Sequence, residues 1–295
     1  MQTFITTLVN GLNLGSVYAL VALGYTMVYG IAKMLNFAHG DVIMVGAYTI
    51  LVGLTQMGLP LPIVLLLCVV ICAALGFTVE KLAYKPLRES TPLAVLITAI
   101  GVSYLLQNLA LLIFGSQRRF LSEFIVLGDV KIGNISIAGV SILIWVVTII
   151  IMVGLNLFIN KTKMGSAMLA VSEDKGAAEL MGVNVNRTIS VTFIIGSALA
   201  GIAAILYAAK YRTLDPYTGS VFGIKAFAAA VFGGIGSIPG AMIGGLLIGI
   251  IETMTVSYLP EGLAPASDGV AYAIIIIMLI LKPAGILGKK RIEKV

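Results

Sequence analysis

Long apolar runs separated by short polar ones dominate the chain. The first, residues 4–31, is punctuated by Gly11, Gly15, Gly24 and Gly30 and by Asn10, Asn13, Ser16 and Tyr18. At about 20 residues per membrane crossing it predicts one helix, and its small residues suit close helix packing. The polar segment KMLNFAHGD (33–41) precedes an apolar stretch at 42–59, and a further run follows Pro60 and Pro62 as far as Tyr84. After a basic loop with Lys81, Lys85 and Arg88, residues 93–114 form the next span. The mixed stretch 116–139 contains the alternating IVLGDVKIGNISI, which predicts short strands or an interfacial hairpin. Spans at 140–159 and 188–209 flank a long polar interruption. A Gly-interrupted pair follows, FGIKAFAAAVFGG and SIPGAMIGGLLIGIIETMTV, the first member short for a crossing. A loop with Pro260 and Pro265, a helix at 270–281 and a basic tail complete the chain. The pattern predicts an all-α, polytopic transmembrane helix bundle of about eight to nine passes with Gly-rich broken helices.

Composition agrees with that pattern. The 295 residues are 59% hydrophobic and 11% charged, with mean hydropathy +1.08, whereas about 25% of residues are charged in soluble domains. A net charge of +6 and a pI of about 9.3 raise the question of nucleic acid. The basic residues are scattered between apolar runs with no basic, aromatic-interleaved face, so no nucleic-acid partner is expected. The charge instead reads as topology. Thirteen basic residues fall on one side: Lys33; Lys81, Lys85 and Arg88; Lys161, Lys163, Lys175 and Arg187; and Lys282, Lys289, Lys290, Arg291 and Lys294. Five fall on the other, Arg118, Arg119, Lys131, Lys210 and Arg212, with Lys225 unassigned. The positive-inside rule makes the first side cytoplasmic, and an odd number of passes puts the N-terminus outside. That N-terminus lacks a basic n-region and cleavage site, so it is expected to be retained. Cys68 and Cys72, four apart in one apolar run, predict packing rather than a disulfide or metal site.

The polar interruption at 161–187 is the longest in the chain. Ser172 reads as the cap of a short helix with Glu173 and Asp174 in its first turn, and Gly182 and Asn184 as its stop. Lys175 reads as an exposed charge of small energetic weight. A loop that only joined two spans could be a few residues long, so a structured one suggests docking; a solvated connection is the alternative. The run from Glu173 to Asn184 resembles the "EAA" loop of ABC import permeases, with Glu173, Ala177, Ala178 and Gly182 at the motif positions. With GLNLGSVYALVALGYTMVYGI, LNFAHGDVIMVGAY and KAFAAAVFGGIGSIPGAMIGGLLIGIIE, it resembles the membrane subunit of a branched-chain amino acid ABC importer of the H type.

That resemblance implies one permease domain, 1–295, in the bacterial cytoplasmic (inner) membrane, with a cytoplasmic coupling loop at 161–187. It also implies a second homologous permease, two ABC ATPase subunits and a substrate-binding protein as partners, the lipid bilayer as surroundings, and no cofactor. The chain itself would be no enzyme. Glu173, Ala177, Ala178 and Gly182 would then dock to the ATPase. Within the family, import of urea, amides or other amino acids is the alternative. A secondary carrier would need intramembrane coupling residues and no docking loop. A membrane-embedded enzyme finds no His cluster or carboxylate pair.

Three further sites are candidates for the translocation pathway or a gate. Asn36, His39 and Asp41 lie between apolar spans, where non-helical backbone is tolerated only beside protein or a watery cavity; a surface loop is the alternative. A metal there would need a second His or a carboxylate pair at ligand spacing. Gly233, Gly234 and Gly236 lack the ending of a phosphate-binding loop and suggest a broken helix, with close helix packing as the alternative. Glu252 is either an intramembrane acid or a group at the outer interface.

Overall fold

Glycines at i, i+4 spacing let two helix backbones touch, and this contact sets the centre of the fold. The computed structural model describes residues 2–132, 135–260 and 267–288. Helix α1 (Gln2–Ala32) carries Gly11, Gly15 and Ala19 on one stripe. Helix α10 (Ile238–Tyr258) answers with Gly245 and Gly249. A Cβ at Gly15 would fall 2.7 Å from the Cα of Leu246, and one at Gly249 would fall 2.8 Å from the carbonyl oxygen of Gly11. Small residues therefore serve close approach here, as expected of α1. Gly244 and Gly245 lie inside α10, so this part of the Gly-rich run is packing rather than a break.

Around α1, whose residues from Ser16 to Val28 are buried, pack α8 (Val185–Tyr211), α9 (Thr218–Gly233) and α5 (Gly139–Lys161). Helices α2 (His39–Leu51) and α3 (Leu61–Val79) close on α8 through the predicted cysteine packing. Cys68 Sγ lies 3.4 Å from the carbonyl oxygen of Gly46 and 3.5 Å from that of Gly201, and Cys72 Sγ lies 3.5 Å from that of Val42. Helix α4 (Pro92–Phe114) turns Leu112 and Ile113 outward, as a lipid-facing helix would. Helix α11 (Ser267–Leu281) lies against α9 and α10.

Among the described residues, six helices are long and apolar enough to cross a membrane: 3–32, 61–87, 92–114, 139–161, 185–211 and 238–258. The runs at 42–59 and 270–281 and FGIKAFAAAVFGG give shorter helices, so length alone does not reach eight or nine. The tail with Lys289, Lys290, Arg291 and Lys294, and Pro265, lie outside the described residues.

The two ends carry different polar elements. At one, β1 (Arg119–Phe120) pairs antiparallel with β4 (Thr213–Leu214), and Arg212 meets Glu123 at 2.6 Å. Here too the alternating stretch forms the expected hairpin, β2 (Val130–Ile132) against β3 (Ile135–Ile137). At the opposite end lie the close of α1, the loop after α3, and two short helices, α6 (Lys163–Glu173) and α7 (Lys175–Leu180). Among the described residues, the two groups of basic residues thus separate in space.

Candidate coupling surface and transport pathway

The loop at 161–187 folds as two helices rather than one, because it contains two capping residues. The Thr162 hydroxyl accepts from the Gly165 N–H at 3.0 Å and starts α6. The Asp174 carboxylate accepts from the Ala177 N–H at 3.0 Å and starts α7. Ser172 is therefore not the cap: it lies inside α6 and donates to the Leu169 carbonyl at 2.7 Å. Gly182 does form the stop, at φ +82°. Its N–H donates to the Glu179 carbonyl at 2.9 Å and the Val183 N–H to Ala178 at 3.0 Å, a closure that needs a left-handed residue. Asn184 belongs to the next element, accepting from the Arg187 N–H to cap α8.

Ala177 and Ala178 do not share a face: Ala178 is buried and Ala177 exposed, since neighbours on a helix are about 100° apart. What α7 presents outward was not singled out in the sequence. Leu180 is 90% and Met181 84% exposed, adjacent to the Gly182 stop. Lys175 is likewise more than an exposed charge. Its Nζ donates to the Ala32 carbonyl at 3.0 Å, tying α7 to the negative end of α1. Partial burial, with Arg88 nearby, lowers its pKa.

A buried acid organises the same end. Glu80, fully buried, pairs with Arg88 and accepts from Ser190 at 2.7 Å, while Arg88 also meets Asn186 near the start of α8. One turn on, the Tyr84 hydroxyl donates to Asn36 at 2.9 Å. Asn36 belongs to the segment 33–38, which turns back from the end of α1; Lys33 at its start has φ +58°. This segment delivers α2 to the interior. A Cβ at Gly24 would fall 2.6 Å from Cε1 of the His39 ring, and Gly24 lies eight residues before the end of α1, or about 12 Å along the axis. Asn36, His39 and Asp41 are therefore buried, not on a surface loop, and His39 and Asp41 occupy the first turn of a helix.

That first turn meets the first turn of α9. A Cβ at Gly40 would fall 2.6 Å from the Cα of Gly223, and one at Gly219 would fall 2.6 Å from the carbonyl oxygen of Gly40. Two short helices thus start back to back inside the bundle, the arrangement of discontinuous membrane helices. Asp41 accepts from Ser103 and, at 3.1 Å, from Gln107, both on α4. The His39 ring stands edge-on to Tyr25 at 4.8 Å.

Gly233, Gly234 and Gly236 mark a real break between α9 and α10: Gly234 has φ +106° and Gly236 φ +93°. The segment after α11 closes over it, the Leu287 N–H donating to the Gly233 carbonyl at 2.9 Å. Gly236 and Glu173 line one cavity of about 680 Å³ with Gly30, Lys33, Asn160 and Ser237, so the break and the end of α6 share a space. Glu252 is not isolated. It takes hydrogen bonds from Lys225 at 2.7 Å and from the Tyr18 hydroxyl at 2.8 Å. Lys225 escaped sequence reading, although a lone cation inside an apolar run was the signal.

The family described as "Branched-chain amino acid transport system / permease component" matches residues 7–279. The high-affinity branched-chain amino acid transport system permease protein BraD of Pseudomonas aeruginosa is 43% identical, covering 99% of this chain and 98% of its own. LivH of Escherichia coli K12, described in the same words, has the same identity and coverage. A probable branched-chain amino acid transport permease protein, LivH of Methanocaldococcus jannaschii, is 30% identical over 91% of this chain and 88% of its own. No solved structure matches. With a family match over most of its length and relatives of this identity, the chain belongs to the family of branched-chain amino acid transport system permease components.

Proposed function

We propose that this chain is the permease subunit of a binding-protein-dependent ABC importer for leucine, isoleucine and valine. Residues 1–295 act as one transmembrane domain that pairs with a second, homologous permease, receives substrate from a binding protein and couples to two ATPase subunits. ATP hydrolysis belongs to those subunits, so the chain is not itself an enzyme. Helices α2, α9 and α11 lie within the membrane beside the six long spans, bringing the passes toward the eight or nine read from the apolar runs. The end bearing α6 and α7 faces the cytoplasm of a bacterial inner membrane, as the excess of Lys and Arg there requires.

One observation carries the coupling role: Leu180 and Met181 stand almost fully exposed on a rigidly stopped helix that is tied back to α1. Exposed apolar side chains on a short, polar-flanked element suit a partner groove. Ala177, one turn before Leu180, and Gly182, next to Met181, border them, Glu173 closes α6 just ahead of this helix, and Ala178 seats it. Two tethers would convert a push on α7 into movement within the membrane. Lys175 leads to the end of α1. Asn186, Arg88, Glu80 and Tyr84 lead to Asn36, and so to the half-helix with His39 and Asp41. Packed elements of this kind move as units rather than deforming continuously. Gly233, Gly234 and Gly236 then form a gate at the cytoplasmic cavity, and Glu252 lies on the pathway.

The test is reconstitution in proteoliposomes with the second permease, the ATPases and the binding protein. ATP-dependent leucine uptake, competed by isoleucine and valine and not by urea or acetamide, is expected. Competition by urea or acetamide instead would move the substrate to that class, and uptake by the chain without ATPases would make it a secondary carrier.

A further inference from the structure

An ion pair stands within the bundle, on the side of its middle away from α6 and α7. Lys225 lies halfway along α9, Glu252 on α10 and Tyr18 halfway along α1. Their side chains converge on one carboxylate: Lys225 Nζ to Glu252 Oε1 at 2.7 Å and Tyr18 Oη to Glu252 Oε2 at 2.8 Å. Lys225 and Glu252 are not sealed off, their side chains keeping 10% and 13% exposure. Val221, one turn before Lys225, is 46% exposed, and Val256, one turn after Glu252, is 48% exposed. The pair therefore lies at the edge of an open flank of α9 and α10. Charges at this depth are costly facing lipid and mark the bundle interior or a watery passage.

Beside the pair stands an aromatic wall. Phe222, one turn from Lys225, packs on Tyr18 at 5.3 Å and on Tyr207 at 4.7 Å, and Tyr207 stacks on Tyr211 at 5.2 Å. One cation, one carboxylate and an apolar surface complement a small zwitterion with an apolar side chain. Such a solute loses the hydration of two opposite charges on entering the membrane, and only a partner for each offsets that loss.

We propose that Lys225 and Glu252 exchange partners with a passing α-amino acid zwitterion. Lys225 takes its carboxylate, Glu252 takes its ammonium group, and the Phe222 wall receives its side chain. Tyr18 holds the Glu252 carboxylate in place during the exchange. When the solute leaves, the two residues re-pair, so the site is neutral whether empty or occupied. The proposal rests on the amino-acid import reading and adds the residues that meet the substrate's charges.

The experiment uses the complete reconstituted importer and follows leucine uptake and binding-protein-stimulated ATP hydrolysis side by side. Lys225→Met and Glu252→Gln are each expected to lower uptake at least about tenfold, since each leaves one solute charge unmet. ATP hydrolysis should stay within about twofold, so leucine moved per ATP falls. The exchange Lys225→Glu with Glu252→Lys restores an ion pair with reversed polarity, and uptake should stay low. A pair that only braces the helices would behave otherwise: uptake and hydrolysis would fall together in the single variants and recover together in the exchanged one. That result, or unchanged uptake in the single variants, overturns the proposal. Absence of uptake by the unaltered complex would instead overturn the import reading itself, and the proposal with it.

Discussion

Removing the exposed apolar pair on α7 is the sharpest perturbation of the coupling surface. Leu180 and Met181 are 90% and 84% exposed, so nearly all of their apolar surface is available to a partner. Burying such a side chain stabilises by about 1.5–3 kcal/mol, and alanine keeps a minor part of it. Leu180→Ala with Met181→Ala should therefore weaken ATPase docking by about 2–4 kcal/mol, or about 30- to 700-fold in Kd at 1.4 kcal/mol per tenfold. The permease should be unaffected, because exposed substitutions usually change stability by within about 0.5 kcal/mol. The assay is binding of the purified ATPase to permease in detergent or nanodiscs, with thermal unfolding of the permease measured in parallel. An unaltered thermal midpoint with a Kd within threefold of the starting protein would refute docking through α7.

Gly182→Val forces a β-branched residue into φ +82°, at a cost of about 1–2 kcal/mol or more; it should misplace α7 and impair copurification with the ATPases while the permease stays inserted. Lys175→Met removes the bond to Ala32, worth about 0.3–1 kcal/mol at a helix C-terminus, and should lower transport per ATP with ATPase binding retained, read by parallel uptake and pull-down. Glu80→Ala leaves the Arg88 guanidinium, 12% exposed, without its carboxylate; a loss of about 3–5 kcal/mol is expected from a broken buried pair, seen as a lower thermal midpoint, and less from Glu80→Ala with Arg88→Ala. Gly249→Val drives a side chain into the backbone of α1, and the overpacking should cost at least about 1–3 kcal/mol, detected as reduced yield and thermal stability.

Local pattern along the chain sets the class of the molecule and the positions of its breaks. Apolar runs of about 20 residues leave their backbone no alternative to helix in lipid, which is why 92–114, 139–161 and 185–211 are legible to within three residues at either end. Alternation marked the hairpin at 130–137, and glycine without a Cβ marked the stop at 182 and the turns at 234 and 236. Those properties are local. Depth and pairing come instead from contacts between distant segments. Residues 33–41 look polar enough for a surface loop, yet the chain folds back along α1 and buries His39 and Asp41, because Ser103 and Gln107, more than sixty positions away, satisfy the carboxylate. Lys225 gave no partner by spacing, and its carboxylate lies on the next helix. Ala177 and Ala178 match one motif but lie on different faces, one exposed and one buried, and Leu180 and Met181 read as ordinary apolar residues although the fold turns both outward. Periodicity fixes which residues can share a face, whereas what that face meets depends on chain distant in sequence.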